Sequence, residues 1–128
     1  MSSMRMESLE EIATRSATYE DFWLNLRDFL DGFYRAPQEL ALAHEPALLK
    51  GILPHGDRLD AYLGAIGEHL SKEYHFATPS WAQSSDRVLA LPYFAFSTHE
   101  GRMFLLVESP TAFRARNIFI SADALSRV

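Results

Sequence analysis

Between Asp57 and Phe76 the apolar residues Leu59, Tyr62, Leu63, Ile66, Leu70 and Tyr74 recur at three- and four-residue intervals, the spacing that lines one side of an α-helix. The opposite side carries Asp57, Arg58, Ala61, Ala65, Glu68 and Lys72, and is expected to face water, with Glu68 placed four residues before Lys72 for a solvated ion pair. A third strip, Asp60, Gly64, Gly67 and Ser71, is so short-chained that another backbone can come close. Each glycine costs a helix about 1 kcal/mol relative to alanine. Close packing must offset that cost, and the packing element is either the C-terminal segment or a partner.

The same rhythm predicts a second long helix from Tyr19 to Arg35, with Tyr19, Phe22, Trp23, Leu26, Phe29, Leu30, Phe33 and Tyr34 as a wide aromatic face. Thr18 is its expected N-cap, with Asp21 three residues on. Ser8 to Arg15 reads as a short helix anchored by Leu9 and Ile12, and residues 1–7 as a frayed end. Pro37 and Pro46 suit first-turn positions, so 37–44 and 46–51 are expected as two short helices, with Leu40, Leu42, Leu48, Leu49 and Ile52 as core contacts. Leu53-Pro54-His55-Gly56 is a turn, and Asp57 an acidic cap for the central helix.

Thr78-Pro79 and Ser109-Pro110 each set a hydroxyl before a proline and each predicts a helix start. Trp81 anchors the first of these, and Val88 and Leu89 lie in a following turn. Leu91 to Phe96 is too short and proline-bound for period to decide; turn or short helix is favoured over strand. Glu100 to Val107 is apolar on nearly every side, which predicts a buried helix or a buried strand. Thr111 to Arg116 is expected as one and a half turns stopped by Asn117, followed by an extended Ile118–Ile120 and a last turn capped by Ser121. The whole predicts one all-α domain over 1–128, a bundle of two long and several short helices, with at most one small hairpin around Ser97 to Gly101.

Composition narrows the function classes. The chain has no cysteine, which removes disulfides, thiolate nucleophiles and cysteine-ligated zinc. No run reaches the roughly 18 apolar residues of a membrane span, and the acidic Met1–Glu11 differs from a signal peptide, so a cytoplasmic protein is expected. The net charge of -5 argues against a general nucleic-acid binder. It is uneven: residues 1–50 hold 5 basic and 9 acidic groups, 51–100 hold 3 and 6, and 101–128 hold 4 and 2.

Candidate chemistry is sparse. His69 and Glu73 can face one ion from a helix, but His75 points elsewhere, and two ligands do not make a zinc site. His44-Glu45 lacks the second histidine of a zincin, and no phosphate loop or nucleophile elbow is present. Ser97, Thr98, His99 and Glu100 offer a hydroxyl, an imidazole and a carboxylate on a turn, without a scaffold to align them. No catalytic, metal or cofactor residues are therefore assigned. The tail is different: Arg114, Arg116 and Arg127 alternate with Phe113, Ile118, Phe119 and Ile120, a mixture enriched at protein interfaces. The plainer expectation is that Phe113, Ile118 and Ile120 complete the core while the arginines pair with the acidic N-terminal helices.

The segment Glu108 to Arg127, with Ser109-Pro110-Thr111-Ala112-Phe113-Arg114-Ala115-Arg116-Asn117-Ile118-Phe119-Ile120 at its heart, resembles the ending of a family of small bacterial proteins. Leu59-Asp60-Ala61-Tyr62-Leu63 and Arg27 to Tyr34 are similar to other recurrent segments of that family. Such proteins look like the partner members of two-gene modules whose neighbour is a nucleotidyltransferase-like protein, as in toxin–antitoxin and phage-defence pairs. The resemblance implies an antitoxin-like or accessory role and brings no catalytic residues.

The leading expectation is thus a non-enzymatic protein-binding module for a protein partner encoded nearby, with Asp60, Gly64, Gly67, Ser71, Arg114 and Arg116 as the partner-binding residues. Two alternatives come from other classes. One is a DNA-binding repressor that sets Thr111–Arg116 in the groove. The other is a small metal-dependent enzyme built on His69, Glu73 and a distant His55 or His99.

Overall fold

A computed structural model describes residues 6–95 and 98–125. Its elements are α1 (Leu9–Arg15), α2 (Tyr19–Arg35), α3 (Leu40–Ala43), α4 (Gly56–Glu73), β1 (Tyr93–Phe94), α5 (His99–Glu108), α6 (Thr111–Arg114) and β2 (Ile118–Phe119). Three 3₁₀ segments, Ser80–Gln83, Ser85–Arg87 and Ala122–Leu125, fill the connections. The fold is mainly α-helical, as the hydrophobic period predicts.

The long helices start and pack for legible reasons. Ser8 accepts from the Glu11 amide at the head of α1, and Thr18 from the Asp21 amide at the head of α2. The aromatic face of α2 meets α4 edge-on: Trp23 lies 4.9 Å from Tyr62 and Phe33 lies 5.2 Å from Tyr74 between ring centroids. Phe22, Leu26, Phe29, Leu59, Leu63, Ile66 and Leu70 fill the space between.

α4 is not the half-solvated helix its charged side suggests. Ala61 and Ala65 are fully buried and Glu68 is buried, leaving only Asp57 and Lys72 of that side exposed and Arg58 half-buried. The reason is that the segments after Phe76 wrap back onto it: Ser80–Gln83, Ser85–Arg87 and α6 all pack on α4. Phe113, Ile118 and Ile120 join the core there.

Several local expectations give way to tertiary partners. Residues 46–51 form no helix, because the Leu49 and Lys50 amides donate to the Asp60 carboxylate and the Pro46 carbonyl accepts from Arg87. α3 is a single turn, and Leu40, Leu48 and Ile52 are exposed while Leu42 and Leu49 are buried. α4 begins at Gly56 behind His55, which takes a left-handed φ of 57°, so Asp57 is its second residue and not its cap. Met6 is only 4% exposed and its amide donates to Asp28, so the frayed end expected over residues 1–7 does not include it; residues 1–5 lie outside the described residues.

A helical segment starts directly after each hydroxyl–proline pair, 3₁₀ from Ser80 and α6 from Thr111, but with the proline at the cap position and no hydroxyl capping bond. Pro79 is extended before a 3₁₀ turn, and Ser109 donates its hydroxyl hydrogen to the Ile120 carbonyl. The hairpin placed at Ser97–Gly101 is replaced by the start of α5, because Thr98 accepts from the Gly101 amide and caps it; Ser97 lies outside the described residues. The extended pairing is instead β1 with β2, parallel, Tyr93 opposite Ile118 and Phe94 opposite Phe119. Parallel strands need a long crossover, and α5 and α6 supply it. Phe96 and Arg127 also lie outside the described residues.

Candidate interaction surface

The small-residue strip of α4 is filled by the chain itself. A Cβ at Gly64 would meet the Arg87 Cβ at 2.7 Å, the Arg116 Nε at 3.1 Å and the Ala82 carbonyl oxygen at 3.2 Å; at Gly67 it would meet the Trp81 ring at 3.2 Å. Asp60 and Ser71 are buried beside them. Of the six residues expected to bind a partner, Asp60, Gly64, Gly67, Ser71 and Arg116 are therefore in the interior, and only Arg114 is at the surface.

The missing side chain at Gly64 makes room for two interior arginines, and that at Gly67 for the Trp81 ring. Arg116 donates from Nη1 to Glu68 Oε1 at 2.7 Å and to the Ala112 carbonyl at 2.8 Å, and from Nη2 to the Ala82 carbonyl at 2.5 Å. Lys72 holds the other Glu68 oxygen at 2.6 Å. Burial pushes the Glu68 carboxyl up, but the hydrogen bonds and charges of Lys72 and Arg116 outweigh it and hold the group below its ordinary range. The expected pairing of these arginines with the acidic N-terminal helices does not occur for Arg116, whose partner is on the central helix.

Arg87 has no exposed surface at all. It donates to the Pro46 carbonyl at 2.6 Å, sits 3.6 Å from Asp60 and lies over the Trp81 ring at 5.1 Å. Trp81 in turn donates its indole N–H to the Leu42 carbonyl at 3.0 Å. Burial raises the Asp60 pKa against the Leu49 and Lys50 amides and Arg87, and burial lowers that of Arg87 against Asp60 and Glu45. This cluster ties residues 42–50 and 80–87 to α4. Its chemistry is architectural. Nothing in the polar stretch Ser84-Ser85-Asp86-Arg87 marks Arg87 as interior, since a basic residue there reads as surface.

The histidine candidates stay apart. His69 is half-buried with its ring 6.2 Å from Phe113; burial lowers its pKa, with Glu73 pulling the other way. It shares a shallow depression with Lys72, Glu73, Pro110, Thr111 and Ala112. His75 is exposed with a left-handed φ of 62°, and His55 packs on Tyr19 beside the α4 start. Among the described residues, no group of three or more His, Cys, Asp or Glu side chains could hold a metal ion. The Thr98 hydroxyl is engaged as a helix cap. Ser97 and the His99 side chain lie outside the described residues.

What the structure exposes instead is α5. The sequence predicts Met103–Val107 to be buried, whichever element it forms. It is a helix, but only Leu105 is buried; Met103 is 54% exposed, Phe104 51%, Leu106 43% and Val107 81%. The helix is fastened on one side alone. Leu105 enters the interior, Ser109 bonds to Ile120, and Arg102 lies 5.6 Å from the centroid of Phe94, which stacks on Phe119 at 4.6 Å. Arg114 lies along the last turn, 3.5 Å from the Leu106 carbonyl and 3.4 Å from the Thr111 hydroxyl. Met103 and Val107 are one turn apart, flanked by Phe104 and Leu106, so the four make one apolar face of a kind associated with protein contacts.

The same geometry weighs on a groove-binding role for 111–116. α6 is four residues long and Arg116 is withdrawn into the Glu68 pair, which leaves Arg114 as that segment's only outward guanidinium. No helix among the described residues is long and apolar enough to cross a membrane. Comparison of the chain with protein-family models, with curated proteins and with solved structures found no match.

Proposed function

We propose that this protein is a non-catalytic protein-binding module whose contact element is α5, presented on a rigid helical body. The observation that carries the reading is the row of four large apolar side chains left in water on a helix that contributes one residue to the core. Burying such side chains is the main favourable term in most protein association. The family resemblance supplies the partner class: a nucleotidyltransferase-like protein encoded nearby, restrained in the manner of a toxin by an antitoxin.

Co-expression with the product of the adjacent gene, followed by size exclusion, tests this reading. Co-elution of the two proteins is expected, and its loss in Phe104→Ser and Val107→Asp, which leave the helical content of the module unchanged. Separate elution of two folded proteins overturns the partner, and co-elution that ignores both substitutions overturns the assignment of α5.

A further inference from the structure

A single large cluster of buried apolar residues joins α1, α2 and α4 to Trp81, Phe113, Ile118 and Ile120, and among the described residues no side chain of α5 is part of it. Leu105 is fully buried outside that cluster. Besides Leu105, α5 is fastened by the Ser109 hydroxyl on the Ile120 carbonyl, by Arg102 over the Phe94 ring and by the long contact of Arg114 to the Leu106 carbonyl. The backbone is extended on both sides of the helix, with ψ of 155° at Thr98 before it and of 138° and 147° at Ser109 and Pro110 after it. Beyond these residues the chain is held firmly. On one side the Tyr93 and Ala95 amides donate to the Asn117 and Phe119 carbonyls; on the other, Phe113 is fully buried and Arg116 is bonded to Glu68.

We infer that α5 is a strap that detaches from the body as a unit while the β1–β2 pair and α6 stay closed. Detachment gives up one buried leucine, one side-chain hydrogen bond and the contacts of two arginines, whereas global unfolding gives up the whole α2–α4 interface. Opening the strap is therefore the cheaper event, of the kind that local contact density sets. A helix of 10 residues is shorter than the roughly 12–15 at which isolated helices are even marginal in water, so α5 unwinds once it lets go. Both ends of the strap remain anchored, and it returns by closing a short loop and not by refolding the chain.

The inference stands on packing alone and requires no partner. It gives the contact element a second state, so that any partner gripping α5 as a docked helix also holds it shut.

Native-state hydrogen exchange followed by NMR, on the full chain in low concentrations of guanidinium chloride, tests the inference. The Met103–Val107 amides are expected to be protected at least about tenfold relative to an unfolded chain, yet to exchange about 100-fold or more faster than the Leu63 and Ile66 amides of α4, with a shallow dependence on denaturant. The Tyr93 and Ala95 amides are expected to stay at least about tenfold better protected than those of α5. Leu26→Ala, within the cluster that excludes α5, is expected to speed exchange in α4 by at least about tenfold and to leave α5 within about twofold of the parent. Amides of α5 that follow those of α4 in rate and denaturant slope, or that quicken with them in Leu26→Ala, overturn the inference. Loss of Tyr93 and Ala95 protection together with that of α5 overturns it too, because the opening unit is then larger than the strap. An α5 without protection is not docked at all, and that result also overturns it.

Discussion

Arg116 reaches Glu68 across 48 positions of sequence, and the 2.7 Å bond between them is what fastens the end of the chain to the middle of its central helix. The bond has room to form because Gly64, one turn before Glu68, has no side chain in the way.

Breaking this pair is expected to be costly. Arg116→Met removes a buried partner of Glu68 and strands the Ala82 and Ala112 carbonyls, for a loss of about 3 kcal/mol or more in urea denaturation. Arg114→Met, two residues away but exposed, is expected to stay within about 0.5 kcal/mol of the parent. Equal effects at the two positions would contradict the burial of Arg116.

The α4 glycines differ in what stands against them, so alanine substitutions rank. Gly56→Ala drives a Cβ to 1.9 Å from the Leu49 carbonyl oxygen, a backbone atom, and is expected to be the most damaging. Gly64→Ala comes next, against Arg87 at 2.7 Å, with overpacking of ~1–3 kcal/mol exceeding the ~1 kcal/mol gained in helix propensity. Gly67→Ala meets only the Trp81 ring at 3.2 Å and is the mildest. Thermal midpoints by circular dichroism give the order.

On α5 the contrast is between side chains two positions apart that face opposite ways. Leu105→Ala empties a core position and is expected to cost ~2–5 kcal/mol. Val107→Ser is expected to stay within about 0.5 kcal/mol. Chemical denaturation of both variants separates the buried side of α5 from its exposed face.

Acid should weaken the fold in two stages. His69 has a folded pKa below its ordinary 6.5, so the unfolded chain binds its proton first and stability falls as pH drops below about 6.5 toward the folded value. Glu68 has a folded pKa below its ordinary 4.5; its contribution is complete above 4.5 and is lost as pH falls through the folded value. Asp60 works in the opposite sense, since its raised pKa relieves a buried charge as it takes up a proton. His69→Gln is expected to flatten the first stage and Glu68→Gln the second, read from denaturation midpoints against pH.

Helix identity was legible wherever a full apolar stripe was present. The positions of α1 and α2, the Thr18 cap, the left-handed stop at Asn117 and the core placement of Phe113, Ile118 and Ile120 follow from period and local chemistry. The exposed apolar face of α5 was not legible. Met103–Val107 has the composition of an interior segment, and whether such a segment is buried depends on what the fold lays over it. Arg114 and Arg116 look alike in sequence; one is exposed and the other interior because the turn after α6 aims only Arg116 at the gap beside Gly64.

The sequence by itself thus determined an all-helical body, its two main helices and the demand, written in Gly64 and Gly67, that something pack closely on α4. Only the tertiary structure decided what that something is. Local period reports which face of an element is apolar, but the choice between Trp81, Arg87 and Arg116 as fillers, and the exposure of all of Met103–Val107 but Leu105, depend on contacts between residues tens of positions apart. No local pattern encodes those contacts, because they are set by the shared volume around α4, which Ser80–Gln83, Ser85–Arg87 and α6 fill.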